Sequence, residues 1–211
     1  MISSELQICL IIFSYLLGSI STSIIVCKIK KVDIRKIGSG NAGATNTVRA
    51  LGKKYGAIVL ILDIIKGIIP TIIASSLSSD SLILPVSCAF AVVLGHVFPI
   101  YFSFKGGKGA ATIIGTIIII FPIGALICFI TWVTVIILSG YVGLGTIIAA
   151  IIFPISILIF SDINLIFFGI TAMLFILGAH YNNIIRLIQG KENRFEKIHI
   201  LNPESIFRRK K

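Results

Sequence analysis

Residues 110–160, AATIIGTIIIIFPIGALICFITWVTVIILSGYVGLGTIIAAIIFPISILIF, form the longest apolar stretch of a 211-residue chain, and how they divide decides how often that chain crosses a membrane. A transmembrane helix needs about 20 predominantly apolar residues. The stretch is too long for one crossing and carries two breaks, Phe121-Pro122 and Ser139-Gly140. Proline ends a helix before it and glycine favours a turn. The expected division is a helix over about 110–121, a second from Pro122 to about 138, a turn through SGYVGLG, and a third over about 145–160.

The charges outside this stretch lead to the same division. Other apolar runs lie near 7–27, 56–77, 82–104 and 163–179. Of 19 Lys and Arg, all but Lys66 fall in the polar segments 28–54, 105–108 and 186–211, while Glu5, Asp80 and Asp162 mark short tips without a basic residue. Short basic loops stay on the cytoplasmic side. The N-terminus is therefore expected outside, the Lys105 loop and C-terminus inside, and the Asp162 tip outside. An odd number of crossings must then fit between 110 and 160, and three short ones satisfy it. The expectation is an all-α, polytopic integral membrane protein of seven transmembrane helices, some short or broken, forming a single membrane-embedded domain over 1–211.

Composition agrees. The chain is 56% hydrophobic and only 13% charged, with a mean hydropathy of +1.06, against roughly 25% charged in soluble domains. A cytosolic globule and a disordered chain are both excluded. The net charge of +11 reads as orientation rather than as nucleic-acid binding. Lys28, Lys30 and Lys31 follow the first apolar run instead of preceding it, so residues 8–26 are read as a retained span, not a signal peptide. Cys9, Cys27, Cys88 and Cys128 stand singly, without metal-ligand or disulfide spacing.

Three basic-side segments are unlike plain connectors. In GSGNAGATNTVRALG (38–52), Ser39, Asn41, Thr45 and Asn46 add side-chain donors to glycine amides such as that of Gly40, and Arg49 adds a planar fork that matches two phosphate oxygens. A helix starting near Thr45 would aim its free amides at the same anion. The GxGxxG match here lacks the strand and βαβ unit of a dinucleotide site. In GHVFPIYFSFKGGKGAAT (95–112), Lys105, Gly106, Gly107 and Lys108 precede a helix N-terminus, without Walker spacing. His96 reads as a hydrogen-bonded packing residue. In HYNNIIRLIQGKENRFEK (180–197), His180 and Asn183 share a helix face, Glu192 is available to Arg194, Arg186 or a basic loop, and the part from Arg186 onward equally fits an interfacial amphipathic helix. Asp63 and Lys66, three apart within a span, read as a structural ion pair. The terminal RRKK reads as an attachment to anionic lipid.

Four stretches in order, GSGNAGATNTVR (38–49), DIIKG (63–67), GHVFPIYFSFKGGKGAAT (95–112) and HYNNIIRLIQGKEN (180–193), make the chain similar to the bacterial acyl-phosphate-dependent glycerol-3-phosphate acyltransferases, the PlsY family. The resemblance implies a seven-helix enzyme of phospholipid biosynthesis in the bacterial cell membrane. It would move an acyl chain from acyl phosphate to the 1-hydroxyl of glycerol 3-phosphate, releasing lysophosphatidic acid and inorganic phosphate. By motif position it carries over Ser39 and Arg49 from the first segment, Lys105 and Lys108 from the second, and His180 and Asn183 from the third. It also implies a Ser/Arg/Tyr/Ser element near the 139–146 turn, where this chain has SGYVGLGT, with Gly140 and Gly143 in place of Arg and Ser. Ser139, Tyr141 and Thr146 are the remaining candidates for acyl-phosphate contacts.

The expected chemistry is direct attack of the glycerol hydroxyl on a mixed anhydride. Arg49 and the lysines would neutralise two phosphates, backbone amides and Asn183 would position the carbonyl and its oxyanion, and His180 would act as base or orienting group, a phosphate oxygen of the substrate being the alternative proton acceptor. Membrane lipid surrounds the site; a monomer without metal, cofactor or nucleic acid is expected. The rival readings are a small organic-anion or phosphate transporter, which would show repeats and midplane charges, and a noncatalytic membrane scaffold.

Overall fold

The computed structural model describes residues 2–78 and 81–194. Among them every regular element is helical: α1 (Ser4–Gly18), α2 (Thr22–Ile29), α3 (Ala44–Leu51), α4 (Lys53–Leu77), α5 (Ile83–Val97), α6 (Ala110–Ile120), α7 (Pro122–Ser139), α8 (Val142–Phe160), α9 (Ile166–Ala179) and α10 (Tyr181–Ile188), with 3-10 turns at Ile34–Lys36, Ile100–Phe102 and Ile163–Leu165. Asp80 and the terminal RRKK lie outside the described residues.

Five segments are long and apolar enough to cross a bilayer: Ser4–Ile29, Lys53–Leu77, Ile83–Phe102, Pro122–Ser139 and Val142–Phe160; Ile163–Ala179 with Tyr181–Ile188, bent by 60°, makes a sixth. Their outer faces carry Ile8, Leu126, Phe129, Leu158 and Phe167, all more than half exposed. In water such a surface would drive aggregation; in lipid it is solvated.

The expected break at Phe121-Pro122 is present, with Pro122 opening α7 at a position where its missing N–H loses no bond. At the second break, Gly140 ends α7 in the left-handed region at φ 78° and gives its N–H to Ile136 O. The turn is shorter than the sequence implied. Only Gly140 and Tyr141 lie outside helices, so α8 starts at Val142 rather than near 145.

The expected span over 110–121 is α6, of eleven residues, about 16 Å long, against a hydrocarbon core of about 30 Å. A helix this short is held by protein rather than by lipid. A Cβ on Gly67 of α4 would lie 2.2 Å from the Thr112 carbonyl oxygen, and one on Gly115 of α6 would lie 2.2 Å from that of Ile64, so the two backbones touch through paired glycines. Gly67→Val is therefore expected to force α4 and α6 apart, lowering the thermal midpoint in detergent by several degrees and displacing the α6 N-terminus. Gly178→Ala, with nothing within 4 Å of the added carbon, should leave the midpoint unchanged.

The first span is two helices, not the single one expected from residues 8–26. Helix α1 stops at Gly18, and α2 resumes at Thr22. The break has a tertiary cause: the Lys66 ammonium, 6% exposed, donates to the carbonyls of Gly18 (3.3 Å) and Ile20 (3.1 Å) and pairs with Asp63 Oδ1 at 2.9 Å. Thr22 Oγ1 donates to the same carboxylate oxygen at 2.7 Å. The Asp63/Lys66 ion pair thus folds together with the unwound carbonyls of the neighbouring span. A second core, built on Val92, Ile113, Phe153, Ile157 and Phe168, joins α5, α6, α8 and α9; Phe153 meets Phe168 edge to face at 5.8 Å.

Candidate active site at the basic end

A cavity of about 260 Å³ opens at the bundle end that bears the basic segments. Its mouth is polar, formed by the first turns of α3 and α6, the start of α10 and the residues just after it. Its depth is apolar, walled by Ile114, Ile117, Trp132, Ala149 and Phe153.

The first segment builds one side of the mouth. The amide of Asn46, 1% exposed, donates to the carbonyls of Ile34 (3.1 Å) and Ile37 (2.9 Å) and accepts the Ser39 N–H at 3.2 Å. Both its amide hydrogens are spent on the loop. Asn46 lines the cavity but staples the segment instead of offering a donor to an anion. Gly40, expected as a phosphate contact, lies outside the lining; it makes the turn at φ 68°, its N–H on Ile37 O. What faces inward is Ser39, Asn41, the α3 N-terminus at Ala44 and Thr45, and Arg49 one turn further on. The Arg49 guanidinium is held below its ordinary pKa by burial, partly offset by Glu192; with an intrinsic value above 12 it keeps its charge.

The second segment forms the opposite wall in a way its composition did not reveal. The N–H of Gly106 goes to Val97 O (3.0 Å) and that of Gly107 to His96 O (3.1 Å), so neither is free for an oxyanion. Both glycines are there for closeness: a Cβ on Gly107 would lie 2.1 Å from His96 Nε2 and 2.6 Å from Ala42 O. Lys105 is exposed and outside the lining, its carbonyl bound by Arg35 at 3.0 Å. Lys108 does enter, followed by Gly109 and the free first-turn amides of α6 at Ala110 and Ala111.

The third segment completes the ring. Lys108 Nζ donates to Asn183 Oδ1; Asn183 Nδ2 donates to Glu192 Oε1 at 2.8 Å, and Arg186 Nε donates to Glu192 Oε2 at 2.7 Å. The polarity of this chain is forced, because an ammonium only donates and a carboxylate only accepts. The Asn183 amide, expected to hold an oxyanion, therefore donates to Glu192, and Lys108 lines the cavity together with Arg49 and Arg186. Burial first, then Arg186 and Arg49, push the Lys108 pKa down to about 8, with Glu192 opposing them. His180, 4% exposed, sets Nδ1 2.9 Å from Ile176 O, which leaves the Nε2 lone pair free.

Of the turn candidates, Thr146 lines the cavity while Ser139 and Tyr141 do not. Ser139 Oγ caps Val135 O at 2.6 Å and accepts the Tyr141 N–H at 3.1 Å. Gly143 lines the cavity, and a Cβ there would lie 2.6 Å from Asn183 Nδ2, so the glycine makes room for Asn183. Four lining residues that carry a charge or an imidazole were not among the expected site residues: Asp63, His96, Arg186 and Glu192. The available signal for Glu192 was its position, a lone acid immediately after a helix whose His180, Asn183 and Arg186 follow at intervals of three.

Comparison with known proteins matches this geometry. Residues 8–190 fit the family model described as glycerol-3-phosphate acyltransferase. A glycerol-3-phosphate acyltransferase of Aquifex aeolicus (strain VF5) is 44% identical over 188 residues, covering 88% of this chain and 97% of its own. One from Francisella tularensis subsp. holarctica (strain OSU18) is 43% identical over 190 residues, covering 90% and 93%. The crystal structure of PlsY (YgiH), an integral membrane glycerol 3-phosphate acyltransferase, superposes in its glycerol 3-phosphate form with a TM-score of 0.86 at 42% identity, covering 93% of this chain and 98% of that one. Its lysophosphatidic acid form gives 0.84. With the family model matched over residues 8–190 and relatives of 42–44% identity covering about nine-tenths of it, the chain belongs to the glycerol-3-phosphate acyltransferase family.

Proposed function

We propose that the chain transfers an acyl group from acyl phosphate to the 1-hydroxyl of glycerol 3-phosphate, as a monomeric, single-domain enzyme with seven membrane-embedded helices, its site facing the cytoplasm from a bacterial plasma membrane. The observation that carries this reading is the junction in the cavity: two helix N-termini with Arg49, Lys108 and Arg186 at its mouth, and an apolar wall directly behind them. Phosphate groups fit the first part and an acyl chain the second. Family membership favours this reading over a transporter or a scaffold.

In the proposed reaction the α3 N-terminus, Ser39, Thr45 and Arg49 hold the phosphate of glycerol 3-phosphate. Lys108 and the first turn of α6 hold the phosphate of the donor and the oxyanion that grows on its carbonyl. The hydroxyl oxygen bonds to the carbonyl carbon, and the carbon–oxygen bond to phosphate breaks. Phosphate departs with the electron pair. With its Nδ1 held on Ile176 O, His180 presents Nε2 to orient the hydroxyl while the departing phosphate takes the proton. His180→Ala should then raise KM for glycerol 3-phosphate more than it lowers kcat.

Lys108 supplies a pH signature. It is charged below about 8 and loses that charge above it, so kcat/KM, which reports the free enzyme, should fall as pH rises through about 8. Lys108→Arg, charged throughout, should abolish that limb even if its rate is lower.

The donor is tested with purified protein in lipid, supplied with glycerol 3-phosphate and either acyl phosphate or an acyl thioester of the same chain. Lysophosphatidic acid from acyl phosphate alone supports the proposal. Product from the thioester alone would contradict it.

A further inference from the structure

After α10 the chain turns at Gly190, whose φ is 66°, with the Lys191 N–H returning to Arg186 O at 2.8 Å. Residues 191–194 then run back across the mouth of the cavity, where Glu192 and Asn193 join its lining. Two contacts fasten the far end. Arg194 Nε donates to Ser139 O at 3.0 Å, and the guanidinium lies 5.6 Å from the ring centroid of Tyr141. Ser139 and Tyr141 flank the turn between α7 and α8.

We infer that residues 190–194 are a strap over the substrate cavity and that Arg194 is a positioning residue for acyl transfer. Fixed to the α7–α8 turn, it keeps Glu192 on Asn183 and Arg186, and so keeps Asn183 Oδ1 on Lys108. This rests on the function proposed above and adds to it a residue that no cavity contact identifies.

Three features support a role beyond packing. Glu192 anchors the strap inside the site on Asn183 and Arg186, and its side chain is 5% exposed while Arg194 is exposed; the buried acid is thus held in register by a surface latch. The latch itself is light, one hydrogen bond and one exposed cation–π contact. A latch of that strength lets the strap open for substrates as long as an acyl phosphate and close again. Third, the binding face of Tyr141 explains why that residue is present at the turn although its ring stays out of the cavity.

Loosening the latch lowers the fraction of molecules with an assembled site, and apparent affinity falls by that fraction. Arg194→Ala and Tyr141→Leu are each expected to raise KM for one or both substrates several-fold, up to about tenfold, with kcat at saturation within a factor of about two because bound substrate closes the strap. Arg194→Lys, which keeps the charge over the ring, should recover most of the loss; Arg194→Gln should not. Thermal midpoints of all four should match the parent. Unchanged KM in Arg194→Ala and Tyr141→Leu would overturn the inference, as would an equal loss of kcat in Arg194→Ala and Arg194→Lys. A parent protein that makes no lysophosphatidic acid would instead overturn the proposed function.

Discussion

Arg49→Ala is expected to lower kcat/KM for glycerol 3-phosphate by roughly 10²- to 10³-fold while leaving the thermal midpoint nearly unchanged. The guanidinium lies in the mouth one turn beyond the α3 N-terminus, half-buried, and in the described structure its electrostatic neighbours are Glu192 and Arg186. A hydrogen bond to a charged group contributes about 1.5–3 kcal/mol, and a bidentate phosphate contact joins two of them; the lower part of their sum, about 3–4 kcal/mol, converts to that range at 1.4 kcal/mol per factor of ten. Arg49→Lys should recover only part, because an ammonium keeps the charge and loses the fork. The check is steady-state kinetics with glycerol 3-phosphate varied at saturating donor. A loss below fivefold would remove Arg49 from the phosphate site.

Lys66→Met is expected to lower the thermal midpoint by about 10 °C. Removing one partner of a buried ion pair costs about 3–5 kcal/mol, and each kcal/mol shifts a chain of this size by about 2–4 °C. Here the loss is compounded: Asp63 keeps its charge at 2% exposure, and the Gly18 and Ile20 carbonyls at the break between α1 and α2 lose their donor. Replacing Asp63 by Asn in the same protein removes the orphaned charge, so the double variant should be more stable than Lys66→Met alone. Equal midpoints for parent and Lys66→Met would mean that the break stands without its ammonium. Because Asp63 and His96 also line the cavity, with His96 Nδ1 3.7 Å from Asp63 Oδ1, activity should fall with stability.

What was legible in the sequence depended on whether the cause was local. The break before Pro122 and the end of α7 at Gly140 follow from the residues themselves, and both were foreseen. That Arg49, Lys108, His180 and Asn183 come together was foreseen as well, and all four line the cavity. The break at 19–21 was not, since Ser-Ile-Ser fits an uninterrupted span and its cause, Lys66, is 46 residues away along the chain. The glycines of KGGKG illustrate the same limit. Glycine next to lysine matches an anion loop, yet whether the amides of Gly106 and Gly107 are free depends on the carbonyls of Val97 and His96, which only the fold brings to them. Asn46 was assigned to phosphate on residue type, and its donors turned out to be needed at Ile34 and Ile37. Residue type leaves Glu192 open to Arg194, Arg186 or a basic loop; the structure gives it to Arg186 and Asn183.

The most direct measurement is phosphate release by the purified protein in lipid, with acyl phosphate supplied and glycerol 3-phosphate present or absent, and lysophosphatidic acid quantified alongside. Acyl transfer predicts that phosphate release requires glycerol 3-phosphate and equals lysophosphatidic acid formed, mole for mole. Phosphate released at the same rate without glycerol 3-phosphate, or no lysophosphatidic acid from protein whose thermal midpoint shows it to be folded, would contradict it.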